Sequence, residues 1–230
     1  MTSNSTVSFR PASDRSLMVR FGDHISLEIH QRVRALLQML TAEPIAGVRN
    51  LQPGYGTLLV TFDALKLRHE EMETLLRSYV ERMDAVRLPQ TRTVEIPVCY
   101  GGDFGPDLDE LARLHDLTAS QVVEMHASAS YVVYFIGFVP GFAYLGGLPD
   151  ALATPRLATP RWTVPAGSVA IGGPQTAVYP VVSPAGWRLI GRTPLALFSV
   201  EREPMSLLSI GDQVRFAPIA RERFAELART

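Results

Sequence analysis

The sequence predicts an α+β protein: a ferredoxin-like α/β layer over residues 1–90, then a compact β-barrel or sandwich over residues 91–230. Three observations predict it. Apolar residues make up 47% and charged residues 20% of the 230, ordinary for a folded globular chain. Strand and helix periods alternate through the first ninety positions. Between Pro140 and Pro194 lie eight of the 17 glycines and nine of the 17 prolines, and no helical period survives there.

Taken in order, Arg15–Phe21 (RSLMVRF) reads as a strand ended by Gly22-Asp23. Ile25, Ile29, Val33, Leu36, Leu37 and Leu40 recur at the spacing of one amphipathic helix. Val48–Leu51 and Thr57–Phe62 read as strands turned by QPGYG. Met72, Leu75, Leu76, Tyr79, Val80 and Met83 share one face of a second helix, and Thr91–Tyr100 is another β run. The order β-α-β-β-α-β is a split βαβ pattern. Its last run either closes this layer or opens the next domain.

GGDFGP then reads as a loop and Asp107–His115 as a short helix. Thr118-Ala-Ser-Gln121 has capping-box spacing and starts a helix running to about Ser128. Short apolar runs closed by glycine and proline follow. The tail PMSLLSIGDQVRFAPI reads as a turn and a strand, with a charged helix from about Arg221.

Composition excludes several functions. A net charge of −1 leaves no broad basic surface for nucleic acid or acidic membranes. The single cysteine, Cys99, excludes an intrachain disulfide framework and any multi-cysteine metal site. Lys66 is the only lysine among 22 basic residues, so a P-loop or Schiff-base lysine is available nowhere else. No GxGxxG or GxxxxGK[ST] string occurs. The N-terminus lacks the apolar core of a signal peptide. The uncharged stretch between Glu124 and Asp150 is broken by Gly137, Pro140, Gly141, Gly146 and Gly147, unlike a spanning helix. A soluble cytoplasmic protein is expected.

From Gly137 to Val200 there is no histidine, lysine or cysteine, and one acid, Asp150, faces Arg156, Arg161, Arg188 and Arg192. Tyr144, Ser168, Gln175, Thr176, Tyr179, Ser183 and Thr193 add hydroxyl and amide groups. Arginine offers a donor fork suited to carboxylate, and glycine lets backbone N–H groups approach a ligand. Such a region can hold an anionic or amide-bearing small molecule. It is poor in groups that move protons near neutral pH, so the chain supplies part of an active site unless His126 or an N-terminal acid folds back.

Other candidates carry less. Cys99 falls where strand alternation buries it, and His126 near a helix end reads first as a dipole partner. His24 and His30 read as exposed helix residues. Asp103, Asp107, Asp109 and Glu110 resemble a metal cluster but straddle a helix N-terminus, where acids are expected anyway. Ala166–Ser168 lacks the first glycine of a nucleophile elbow.

YFIGFVPGFAYLGGLP, ATPRLATPRWTVPAGSVAIGGPQTAVYP and SPAGWRLIGRTPLALF closely resemble the KipI family, whose members are called allophanate hydrolase first subunit or the B subunit of 5-oxoprolinase (PxpB). VEIPVCYGGDFGPDL extends the resemblance, and SDRSLMVRFGD and PGYGTLLVTFD carry it weakly to the N-terminus. It implies a ferredoxin-like N-terminal domain and a cyclophilin-like barrel. It further implies an ATP-dependent 5-oxoprolinase opening 5-oxo-L-proline to L-glutamate, assembled with a KipA-like (PxpC type) and a LamB/YcsF-like (PxpA type) subunit. The alternatives are a KipI-type inhibitor of a sensor histidine kinase, or an allophanate hydrolase or urea carboxyltransferase component.

On that reading Arg192 and Gln175 are expected ligand contacts. Tyr144, Ser168, Thr176 and Tyr179 would line the pocket, with backbone N–H groups near Gly167 and Gly172 stabilising developing charge. Ala143 stands where the family often has proline, and Ala177 and Ala185 where it has glycine. Were positive φ required at 177 or 185, alanine would cost about 1 kcal/mol or more.

Overall fold

In the computed structural model, which describes residues 7–229, the chain divides between Gln90 and Thr91 into two units, each with its own core. The first runs β1 (Ser8–Ser13), β2 (Ser16–Arg20), α1 (Leu27–Ala42), β3 (Val48–Pro53), β4 (Thr57–Phe62) and α2 (His69–Arg82). The strands form an antiparallel sheet in the order β1-β2-β4-β3. Period-2 alternation on β2 and β4 turns Leu17, Val19, Leu58, Val60 and Phe62 to one face. That face packs on Ile29, Val33, Leu36 and Leu40 of α1 and Met72 and Leu76 of α2.

The structure corrects two expectations in this unit. His30, expected to be exposed, is fully buried, because it lies one turn before Val33 on the core-facing stripe of α1. The split βαβ order also changes at both ends. Thr93–Tyr100 is no part of this sheet; the edge beside β2 is filled instead by β1, a strand that periodicity does not mark. Its residues are mostly exposed and include Pro11, which an edge strand tolerates, so it carries no alternating signal.

The second unit opens with β5 (Thr93–Tyr100), followed by α3 (Leu108–Leu114), α4 (Ala119–Ser128), β6 (Tyr131–Ile136) and β7 (Ala143–Gly146). Then come β8 (Arg161–Val164), β9 (Ser168–Ile171), β10 (Thr176–Val178), β11 (Ser183–Ala185), β12 (Arg188–Arg192), β13 (Gln213–Pro218) and α5 (Arg221–Leu227). Seven strands close into a barrel in the order β10-β7-β6-β13-β5-β12-β9, while β8 and β11 pair separately. The first and last barrel strands, β5 and β13, run parallel from Thr93 beside Gln213 to Val98 beside Pro218. The capping box forms as spaced: Gln121 N–H donates to Thr118 Oγ1, and Thr118 N–H donates to Gln121 Oε1.

The barrel interior is filled by Ile96, Val98, Tyr131, Val133, Leu145, Val169, Ile171, Val178, Ile190, Val214 and Phe216. Part of the outer wall is buried too. Ala170, Ala177, Tyr179 and Leu189 pack outward against Phe142, Trp187 and the β8–β11 residues Val164 and Ala185. A strand covered on both faces reads as a continuous apolar run, as β9 does. Ala177 and Ala185 sit in strands, and the only non-glycine residues with positive φ among those described are Asp116 and Phe138. Alanine at 177 and 185 is therefore unstrained.

No helix among the described residues is long and apolar enough to cross a membrane. The Gly101–Gly105 turn lies directly on β12, where Gly101 N–H donates to Ile190 O and Asp107 N–H to Leu189 O. A Cβ on Gly105 would sit 2.1 Å from the Ile190 carbonyl oxygen. Gly105→Ala is expected to destabilise the protein by about 1–3 kcal/mol through forced backbone displacement, read as a lower Tm; an unchanged Tm would contradict this packing.

Candidate functional site

The outward wall of the barrel carries an aromatic groove of about 270 Å³. Tyr144 on β7 and Tyr179 just past β10 form one side with Phe142, and Trp187, leading into β12, forms another. Phe142 is the hub, with ring centroids 4.9 Å from Tyr144, 5.1 Å from Tyr179, 5.9 Å from Trp187 and 5.5 Å from Phe138, all edge-on. That is the favoured arrangement for aromatic quadrupoles. Gly172 makes room for the indole: a Cβ there would lie 2.4 Å from Trp187. Arg156 extends over the Trp187 ring, 5.6 Å from its centroid, and completes the rim with Phe138 and Pro160.

Phe138 has φ +67° and is 60% exposed. The left-handed region costs an L-residue roughly 1–2 kcal/mol, and bulky residues held there cluster at ligand sites.

The groove is apolar with polar edges. Burial pushes the Tyr179 hydroxyl up to about 12 and raises that of Tyr144, while the nearby Arg156 charge opposes both shifts. Both phenols stay protonated near neutral pH. The lining contains no histidine, carboxylate or lysine, so it can position a small flat molecule but has little means of moving protons. It does not fit a nucleoside triphosphate. One guanidinium is available, the volume lies below the roughly 300–1,000 Å³ of drug-sized sites, and no group of metal-binding residues occurs among those described.

Of the residues expected at a ligand site, Tyr144 and Tyr179 line the groove and Gly172 abuts its wall through Trp187. The others are elsewhere. Arg192 donates from Nε to Ala166 O at 2.8 Å, beside the Gly167 turn into β9. Ser168 is buried, and its carbonyl accepts from Tyr179 N–H. Gln175 is buried in the turn before β10. The Gly167 N–H donates to Tyr179 O and the Gly172 N–H to Gln175 O, so both are engaged within the backbone. Sequence reasoning misses Phe138, Phe142 and Trp187 and weighs Arg156 only as charge; the four aromatics from Phe135 to Tyr144 are the signal that could have found them.

Thr176 points into the barrel, where His126 is fully buried. Thr176 Oγ1 donates its one proton to Ala170 O at 3.0 Å, so it accepts from His126 Nε2–H (2.9 Å), which leaves Nδ1 to accept from the Tyr100 hydroxyl (2.8 Å); the ring stacks on Phe216 at 4.5 Å. His126 thus ties α4 to the barrel wall. The other histidine of this unit, His115, bonds Thr154 Oγ1 at 2.8 Å. Cys99 is buried and its thiol is pushed up by burial. The acids near α3 form ion pairs, Asp107 with Arg161, Glu110 with Arg188 and Asp103 with Arg221.

Burial lowers the His126 pKa to about 3, from 6.5. The unfolded chain therefore binds one more proton than the folded chain between those values. The stability held by neutral His126 is complete above about pH 6.5 and falls with pH towards 3, by up to about 1.4 kcal/mol per pH unit. Denaturant titrations of wild type and His126→Gln from pH 7 to 4 are expected to show the steeper loss in wild type; parallel curves would contradict it.

A family model, carboxyltransferase domain, subdomain C and D, matches residues 7–208. The chain is 47% identical to the B subunit of 5-oxoprolinase from Escherichia coli O157:H7 over 195 residues, covering 84% of this chain and 88% of that protein. It is 40% identical to the corresponding B subunit from Bacillus subtilis (strain 168) over 221 residues, covering 92% of each. Among solved structures, TTHA0988 superposes with a TM-score of 0.79 at 37% identity over 90% of this chain, which spans 40% of that longer one. Kluyveromyces lactis urea carboxylase shares the fold, with a TM-score of 0.79 at 21% identity over 97% of this chain and 22% of its own. The chain belongs to the carboxyltransferase subdomain C and D family, together with the 5-oxoprolinase B subunits that its glycine- and proline-rich strings resemble.

Proposed function

We propose that the chain is a non-autonomous subunit of an ATP-dependent 5-oxoprolinase, which opens 5-oxo-L-proline to L-glutamate together with a KipA-like (PxpC type) and a LamB/YcsF-like (PxpA type) subunit in the cytoplasm. The observation that carries this is 40–47% identity, over most of both chains, to two proteins named as B subunits of 5-oxoprolinase. The groove agrees in kind: it offers aromatic faces, phenol donors and a guanidinium, and no proton-transfer group. Lactam hydrolysis needs a base for the incoming water and an acid for the leaving nitrogen. On this reading the partners supply both, together with the ATP site, and this chain binds and orients.

The proposal extends to the architecture. The N-terminal unit is a variant of the ferredoxin-like layer whose edge strand precedes rather than follows the others, and the closed barrel is cyclophilin-like. Trp162, 92% exposed on β8, and Val182, 64% exposed before β11, are large apolar side chains that a heteromeric assembly would cover. Arg192, Gln175, Ser168, Thr176, Gly167 and Gly172 then serve by holding the strand ends and turns behind Tyr144 and Tyr179. A urea carboxyltransferase component is the second reading, favoured by the matching family model.

The test is 5-oxoproline-dependent ATP hydrolysis by this chain alone and by the three-part complex. Activity is expected only from the complex. Full turnover by the isolated chain would contradict the subunit reading, and activation of urea carboxylation by a biotin carboxylase partner would favour the second.

A further inference from the structure

We infer that the aromatic groove is a specific site for a small ring-bearing monocarboxylate, in which Arg156 pairs with the carboxylate while the ring lies against Tyr144 and Trp187. The inference rests on the reading of the groove as a ligand site and adds which charge it selects and through which residue.

Arg156, Arg161 and Arg188 lie beside or next in sequence to groove residues. Arg161 is held by Asp107 at 2.6 Å and Arg188 by Glu110 at 2.9 Å. Arg156 forms no ion pair among the described residues, and its guanidinium is positioned by the Trp187 face. One uncompensated guanidinium beside an apolar cleft matches a single negative charge. A phosphate dianion would call for more donors, and the Gly167 and Gly172 N–H groups are already engaged.

The shape of the groove narrows the ligand further. About 270 Å³ bounded by aromatic faces suits a small flat ring. The Arg156 guanidinium, 5.6 Å from the indole centroid, offers a donor fork that pairs more strongly with the two oxygens of a carboxylate than with a neutral amide. Phe138, held at φ +67° and 60% exposed, stands on the rim of the groove. Neutral urea offers Arg156 a carbonyl oxygen but no negative charge, so the guanidinium favours a carboxylate over it.

The experiment uses the full chain with Trp162→Phe, which leaves Trp187 as the sole tryptophan and a reporter inside the groove. Titration with 5-oxo-L-proline is expected to change Trp187 emission saturably, and its carboxamide to bind much more weakly. Arg156→Gln is expected to weaken binding of the acid by about tenfold or more, with the carboxamide unaffected and the Tm kept, because Arg156 is exposed. Arg156→Lys, keeping charge but losing the planar fork, should fall between. No saturable response to the acid, or equal affinity of wild type and Arg156→Gln, would overturn the inference.

In the three-part complex Arg156→Gln should raise KM for 5-oxo-L-proline while largely sparing kcat. A complex that turns over 5-oxo-L-proline with KM unchanged by this variant overturns the groove inference and leaves the subunit assignment standing. Arg156-dependent binding of the acid with no turnover by any assembled complex does the reverse.

Discussion

Closure of the seven-strand barrel around a filled interior is the constraint on which the rest of the second unit depends. The parallel pairing of β5 with β13 joins the unit's first and last strands, and the inward residues leave the aliphatic side chains in mutual contact. A small barrel packed this way has no lumen for a ligand. The candidate groove lies instead on the outer wall, where Ala170 and Ala177 give a low surface over which Phe142, Tyr179 and Trp187 assemble. Small residues at 170, 172 and 177 and large rings at 142, 179 and 187 are two sides of one arrangement.

The same packing decides what happens to the titratable groups. His126, the histidine nearest the glycine-rich strands in sequence, goes inward and is held neutral by burial, with both ring nitrogens bonded to hydroxyls. Asp107 accepts from Arg161 and from the Leu189 N–H and so pins α3 to β12. Breaking such a buried pair by removing one partner is costly, which makes these groups structural. What is left at the groove is donors and aromatic faces. On the proposed reading such a chain contributes binding and orientation, and the proton transfers occur on side chains of its partners.

Much of this is legible in the sequence where periodicity and chemistry agree. The stripe from Ile29 to Leu40, the Thr118–Gln121 cap and the scarcity of proton-transfer groups between residues 137 and 200 each rest on local rules that tertiary structure does not override. β1 is illegible because an edge strand exposed along most of its length has no buried face to alternate. The destination of Thr93–Tyr100 stays open because strand pairing is a long-range fact: its partners, Gln213–Pro218 and Gly191–Arg192, lie about a hundred residues on. Residue type alone marks Thr176 and Arg192 as polar contacts, but the inward or outward sense of a side chain on a strand buried on both faces depends on register. That is why Thr176 meets His126 while Tyr179, three residues later, reaches the groove.

The most direct measurement is a crystal structure of the chain soaked with 5-oxo-L-proline. Density for the ring in the groove beside Tyr144 and Trp187, with its carboxylate on Arg156 and no histidine or carboxylate of this chain within about 3.2 Å of the lactam group, is the predicted result. Ligand bound elsewhere, or a histidine or acid of this same chain hydrogen-bonded to the lactam carbonyl or nitrogen, would contradict it.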